Sequence, residues 1–284
     1  MFHRLVLAAP VLLGTFASPA LAQDTTPPPP VTVSGSATLV SDYRFRGVSQ
    51  SDEDIAAQAS ITVAHESGVY AGFWASNLAG WGTFGGANLE LDLFGGVRLP
   101  VGGGVLDVGA TWYMYPGGAD KTDFVEPYVK LSGTVGPVSL LAGVAYAPAQ
   151  EALGRWSFTA ANAQAVGAGT AAYDDAGDKE DNLYLWGDGA VAVPNTPLTA
   201  KAHIGYSDGN PGLGPNGTSV APTGTYFDWL LGVDVALAPV TIGIAYVDTD
   251  ITRAESAYLL PNFSNADGGR IADAQVVFSV SASF

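Results

Sequence analysis

The chain has 284 residues, a formal charge of −16 and no cysteine, which excludes disulfide stapling and argues against nucleic acid as a partner, since phosphates repel an acidic chain. It is 48% hydrophobic, yet after its first 22 residues no uninterrupted apolar run approaches a membrane helix; Trp229 to Val247 comes nearest and is broken by Asp234 and Pro239. Thirty-six glycines, 18 Tyr and Trp together and only 2 Met suit many strands joined by turns.

Residues 1–22 read as a cleaved, Sec-type export signal. His3 and Arg4 give a positive start, Leu5 to Ala17 an apolar stretch, and Ala20-Leu21-Ala22 the small residues that precede a cut. Removing Arg4 with this segment takes the formal charge from −16 to −17. Residues 23–34 form a Pro-rich periplasmic leader, in which Pro27 to Pro30 are stiff and have too few donors to join a sheet.

From 35 to 284 the text alternates with period two. Strands are predicted near 35–48, 55–65, 69–79, 87–99, 104–115, 123–134, 137–147, 182–193, 197–207, 225–237, 239–249 and 271–284. In the clearest, Phe227, Trp229, Leu231, Val233, Val235 and Leu237 share one face, opposite Tyr226, Asp228, Leu230, Gly232, Asp234 and Ala236. Connections alternate in length. Glu66 to Gly68, Pro100 to Gly103, Val135 to Pro137, Pro194 to Pro197 and Ala238-Pro239 are tight, whereas Pro148 to Asp181, Asp208 to Gly224 and Asp250 to Arg270 are long.

This pattern predicts an all-β fold, a closed antiparallel up-and-down transmembrane barrel of about 12 strands, with short periplasmic turns and long extracellular loops. A soluble β-sandwich also alternates, but it does not require the strict short–long alternation or an even strand number with both termini at the short-turn end. Lipid leaves backbone N–H and C=O groups unsatisfied, so the sheet must close on itself. Twelve strands closing this way give a backbone radius of roughly 12 Å, enough to pass or hold a small solute. The last strand sets Val276, Phe278, Val280, Ala282 and Phe284 on one face, opposite Gln275, Ser279, Ser281 and Ser283. A strand so patterned and ending at Phe284 is expected to be offered to the barrel assembly machinery, and the outer-membrane lipids are the other expected partner.

Strand 1 is more specific. The run Val40-Ser41-Asp42-Tyr43-Arg44-Phe45-Arg46-Gly47-Val48-Ser49-Gln50-Ser51-Asp52, followed by His65 to Asn77, resembles the TorF-type porins, a bacterial family formerly catalogued as of unknown function. The likeness continues through Leu89 to Phe94 and Tyr113 to Gly117, then fades in the long loops. It implies a bacterial outer-membrane, porin-like barrel: a channel for passive diffusion of small polar solutes or ions. The alternatives are a structural barrel with a plugged lumen and a lipid-modifying barrel enzyme.

Strand parity turns Asp42, Arg44, Arg46, Glu90, Asp92, Arg98, Asp107, Glu126, Lys130, Asp188, Lys201, His203, Asp228, Asp234 and Asp273 toward the lumen as pore-lining candidates. Nine acids face five bases, so a channel would weakly prefer cations; an internal ion-pair network is the alternative reading of the same residues. Tyr43, Phe45, Trp81, Trp112, Tyr146, Tyr206, Phe227, Trp229 and Phe284 suit interfacial girdles. Tyr70, Trp74, Tyr113, Tyr115, Tyr128, Tyr184 and Trp186 point inward and offer a sugar-stacking track or simple filling.

Three motifs carry no chemistry. Gly212, Gly214 and Gly217 spell a dinucleotide fingerprint between Pro211 and Pro215 but lack a following helix. Asp174, Asp175, Asp178, Glu180 and Asp181 read as a solvated acidic loop rather than a calcium site. A lipid hydrolase needs a lipid-facing Ser/His pair, and beyond the export signal the only histidines are His65, at a turn, and His203, facing inward. No catalytic residue, cofactor or metal is expected.

Overall fold

The computed structural model describes residues 30–80, 83–210, 224–258 and 269–284. The export signal, most of the leader, Trp81 and the Gly212–Gly217 motif lie outside these residues. After β1 (Val31–Val40) come two short strands, β2 (Arg44–Phe45) and β3 (Val48–Ser49), which pair only with each other. Then follow β4 (Ala56–His65), β5 (Val69–Asn77), β6 (Leu89–Val101), β7 (Gly104–Met114), β8 (Phe124–Val135), β9 (Val138–Gln150), β10 (Glu180–Ala192), β11 (Leu198–Asp208), β12 (Thr225–Leu237), β13 (Val240–Thr249) and β14 (Gln275–Ser283). Two short helices, α1 (Ala160–Gly167) and α2 (Arg253–Tyr258), sit in connections.

The twelve long strands form one closed antiparallel barrel in which each pairs with its neighbours in the chain and β1 closes on β14. Alternation dictates the faces, because successive side chains on a strand point to opposite sides. Leu93, Trp112, Leu131, Ile204, Leu231 and Phe278 stand exposed on the outside, while Glu90, Asp92, Tyr113, Glu126, Tyr128 and Asp228 are buried inside. The seam is backbone-bonded to its end: Gly35 and Phe284 exchange N–H···O bonds of 3.1 Å. The Phe284 ring lies over Gly35, where a Cβ would come within 2.6 Å of it. The short turns 66–68, 102–103, 136–137, 193–197 and 238–239 gather at one end, and the strand ends that bound the longer connections lie at the other.

The bounds of strand 1 differ from the expectation. Its pairing begins at Val31, opposite His65, within the stretch read as leader. It leaves the wall after Val40 instead of running to 48, and residues 42–51 fold into the lumen around β2 and β3. The turn between them is Arg46-Gly47, with φ of 49° and 81°, the positive values that a type I′ hairpin turn requires. Period two does not distinguish the two outcomes, since a hairpin in a filled lumen alternates as a wall strand does.

Glycines make room for the aromatics that fill the interior. Phe94 packs over Gly72, where a Cβ would lie 2.7 Å from its ring, and the Trp186 indole covers Gly143. Gly143→Val should therefore unseat Trp186 and cost about 1–3 kcal/mol, read as a lower urea midpoint for barrel unfolding in detergent. Gly189→Val, whose Cβ would meet nothing nearer than 3.8 Å, should change stability by less than about 0.5 kcal/mol.

Candidate functional site

The lumen is built from a wall of ionisable and aromatic side chains and from the hairpin that crosses it. Eleven of the fifteen predicted residues lie on wall strands: Glu90, Asp92 and Arg98 on β6, Asp107 on β7, Glu126 and Lys130 on β8, Asp188 on β10, Lys201 and His203 on β11, Asp228 and Asp234 on β12. Asp42, Arg44 and Arg46 do not line the wall; they belong to the inward hairpin. Asp273 lies just before β14, half-exposed and paired with Arg270.

Arg44 holds the base of the hairpin. Its Nε donates to Asp42 Oδ2 at 2.5 Å, and its Nη2 pairs with Glu53 at 3.2 Å. Its Nη1 donates to the carbonyls of Gly47, Ile271 and Asp273 at 3.1, 2.8 and 3.0 Å. Asp42 Oδ1 also accepts from Ser49 Oγ at 2.5 Å, and Ser49 N–H donates to Ile271 O at 2.9 Å. The 250–274 connection thus clamps the hairpin from above.

Arg46 carries the tip to the far wall. Its Nη2 donates to Glu126 Oε1 at 2.6 Å, and its guanidinium lies 4.1 Å from the Tyr184 ring centroid and 5.0 Å from that of Phe45. The Tyr226 hydroxyl donates to the Arg46 carbonyl at 3.1 Å. Burial disfavours the charge on Arg46, but the Glu126 carboxylate outweighs it and holds the guanidinium pKa above its ordinary value. Between base and tip, Tyr43 donates to Glu90 Oε2 at 2.8 Å and packs edge-on against Trp74, with centroids 5.3 Å apart. Burial, reinforced by the facing Glu90 and Asp92 carboxylates, pushes its phenol well above the usual range.

Around and beyond the tip the wall residues join in separate groups. Asp107 collects Tyr70 Oη at 2.5 Å, Lys130 at 3.4 Å and Arg98 at 3.5 Å, and Tyr70 meets Tyr128 at 2.5 Å. Lys201 pairs with Asp234 at 2.6 Å. His203 lies between Asp188 at 2.6 Å, Asp228 at 3.2 Å and the Tyr184 hydroxyl at 3.0 Å. Not every buried polar atom is satisfied: Asp92 Oδ1, Gln50 Oε1, Arg98 Nη2 and Trp186 Nε1 have no hydrogen-bond partner among the described residues. A cavity of about 30 Å³ remains beneath the hairpin, lined by Arg46, Glu126, Lys130, Tyr128, Tyr184 and Trp186 among others, which is room for water-sized occupants only. With the hairpin seated, residues 42–51 are buried within the lumen.

Tyr43 and Phe45, expected in the girdle, are buried in the lumen with the hairpin; Trp112, Tyr146, Phe227 and Phe284 do stand exposed outside. The inward aromatics spend their faces on one another and on Arg46, Arg98 and Lys130. Tyr113 stacks on Phe124 at 4.5 Å and Tyr184 on Trp186 at 5.6 Å, so they fill space instead of offering a continuous sugar track. The acids of the long loop serve its backbone: Asp178 accepts from Arg155 N–H at 2.9 Å and Asp174 from Phe158 N–H at 3.1 Å. No group of residues suited to hold a metal occurs among the described residues. His65 Nδ1 lies 2.9 Å from Ser67 Oγ and accepts from Ser67 N–H at 3.2 Å, a contact that closes the β4–β5 turn.

Sequence reasoning missed the hairpin's anchors: Ser49, Glu53, Tyr226 and the Ile271 carbonyl. The usable signal was Arg46-Gly47 between two short alternating runs, masked because Arg is an uncommon first residue for such a turn.

The model of a bacterial family described as of unknown function matches residues 24–284. No curated protein matches. Similar solved structures include the COG4313 outer membrane channel from Pseudomonas putida F1, at 11% identity over 94% of this chain and 100% of that one, with a TM-score of 0.44. A porin refined at 1.8 Å is 10% identical over 89% and 100%, with a TM-score of 0.42. The anion-selective porin from Comamonas acidovorans is 10% identical over 89% and 99%, with a TM-score of 0.41. Likeness at this level carries no argument about solute or selectivity.

Removing one member of the tip pair should be costly. Glu126→Ala leaves the Arg46 charge buried without its carboxylate, an expected loss of about 3–5 kcal/mol. Asp273→Ala, at a half-exposed pair, should cost less than about 1 kcal/mol. Equilibrium unfolding of both variants in the same detergent checks the contrast.

Proposed function

Since this chain belongs to the Gcw_chp family of bacterial proteins, whose description assigns no activity, we propose a function from its geometry: a porin-like channel of the bacterial outer membrane, admitting small polar solutes or ions, with a weak preference for cations. In this reading residues 1–22 are the export signal and the residues from 23 up to the start of β1 at Val31 a periplasmic leader; the short turns face the periplasm and the long connections face outward. An exterior of exposed Leu, Ile, Val, Trp and Phe around a closed sheet supports immersion in lipid. The resemblance of the 40–52 run to the TorF-type porins points the same way.

The observation that carries the reading is the interior. Ionisable residues run from Arg44 and Glu53 at the loop end, through Arg46, Glu126, Asp228 and His203, to Asp107, Lys130, Asp234 and Lys201. A barrel that only had to be solid could be filled with apolar side chains at equal or lower cost, because buried ion pairs repay their desolvation poorly. A polar lining is what a path for hydrated solutes requires. The excess of acids along it favours cations.

The buried hairpin favours a second reading, a structural barrel with a permanently plugged lumen, and the two differ in conductance. Purified protein in planar bilayers should give small steps with a cation-directed reversal potential. That preference should weaken as the Debye length falls from about 30 Å at 0.01 M salt to about 3 Å at 1 M. Folded protein that never conducts would select the plugged barrel. In intact cells, added protease should cut within 151–179 and spare 193–197; the reverse pattern would invert the orientation. The exposed aromatic Phe284, on the closing strand, is the residue we assign to recognition by the assembly machinery. Its deletion should lower the heat-modifiable barrel in the outer membrane, and unchanged assembly would remove that assignment.

A further inference from the structure

We infer that the lumen wall carries a receptor for guanidinium and related organic cations, occupied in this structure by Arg46 of the chain's own hairpin. Three wall residues form it. Glu126 on β8 supplies the carboxylate, 2.6 Å from Arg46 Nη2. Tyr184 on β10 supplies the aromatic face, 4.1 Å from the guanidinium carbon. Tyr113 on β7 donates to the other Glu126 oxygen at 3.3 Å and orients it. A carboxylate combined with a π-face is a general recognition mode for planar organic cations.

The wall holds most of the receptor's shape, to which Phe45 of the hairpin adds an edge contact with Tyr113, centroids 5.8 Å apart. Tyr113 is pinned by its stack on Phe124. Tyr184 is pinned by Trp186 on one side and, through its hydroxyl, by Asp228 at 3.0 Å and His203. Phe45 alone, at 5.0 Å, leaves with the hairpin. The cavity lined by Arg46, Glu126 and Tyr184 adds a little free volume beside the guanidinium.

Arg46 also sits where turn preference would not put it. Its φ of 49° is a left-handed value that Asn, Asp or Gly adopts more readily. The wall, through Glu126 and Tyr184, fixes the guanidinium there despite the turn.

This suggests how the lumen could open selectively. A neutral solute that pushed the hairpin aside would leave the Glu126 carboxylate with Tyr113 but without a cation, at a penalty. A guanidinium or primary ammonium solute replaces one cation by another and leaves the carboxylate paired. The class of solute is therefore small organic cations. The inference rests on the porin-like reading only for the route by which such a solute arrives.

The test vacates the receptor without breaking the turn. Arg46→Asn gives an Asn-Gly pair, the favoured residues for positive φ at both positions. Methylguanidinium chloride is titrated into the full barrel in detergent, with sodium chloride and neutral urea as controls, and thermal unfolding is read. Methylguanidinium should raise the unfolding temperature of Arg46→Asn at a concentration roughly tenfold below that needed with sodium. The wild type, its receptor filled, should respond to the two salts alike. The effect should vanish in Arg46→Asn/Glu126→Gln and weaken in Arg46→Asn/Tyr184→Phe less than in Arg46→Asn/Tyr184→Leu. Equal response to both salts in Arg46→Asn, or a response that survives Glu126→Gln, would overturn the receptor. The same variant in bilayers separates the two readings. Methylguanidinium binding without conductance in any variant keeps the receptor and removes the channel. Conductance that methylguanidinium leaves unchanged, with no thermal shift, keeps the channel and removes the receptor.

Discussion

The structure depends on one constraint: a sheet with no edge. Every strand of the wall finds backbone partners on both sides, down to the Gly35–Phe284 rung at the seam. Closure with every pair antiparallel makes the strand count even, puts both ends of the wall at the short-turn end, and gives the sheet an inside and an outside. The period-two pattern then sorts apolar residues to one and ionisable residues to the other.

Closure also creates a problem that the rest of the chain solves. A twelve-strand wall encloses more space than its own side chains fill, and empty space inside a protein is costly. The solution here is not larger residues alone. Aromatics from β6 and β10 lean over Gly72 and Gly143, and residues 42–51 turn inward to occupy the loop-side half. The hairpin brings two arginines, and each finds a carboxylate: Arg44 at the base, Arg46 at the tip. The plug is therefore held by few, directional, exchangeable contacts around a small buried cluster of Tyr43, Phe45 and Val48. Such an arrangement is stable when fully paired and costly when half-paired, which is the property that would make its release depend on the charge of what replaces it.

The charges of the lumen are legible individually but not as a system. Their inward direction follows from parity. Their partners do not, because Asp107 meets Lys130 from the next strand while Glu126 meets Arg46 from a segment far away in sequence. A net count of acids and bases can suggest a cation preference; it cannot say which acids are already neutralised by a fixed arginine and which, like Asp92, are not.

What the sequence determined by itself is the part governed by local geometry. Alternation assigned Phe227, Leu231 and Phe278 to the outside and Glu90, Glu126 and Asp228 to the inside, because side-chain direction on a strand is a property of the backbone and needs no partner. Alternating connection lengths likewise gave the antiparallel order and the two unlike ends. The tertiary structure decided where β1 leaves the wall. Asp42, Tyr43, Arg44, Phe45 and Arg46 alternate as well in a wall as in a hairpin, and only Glu126, Tyr226 and the Ile271 carbonyl, reached after the barrel has closed, favour the hairpin. Those contacts are long-range, so no window of sequence contains them.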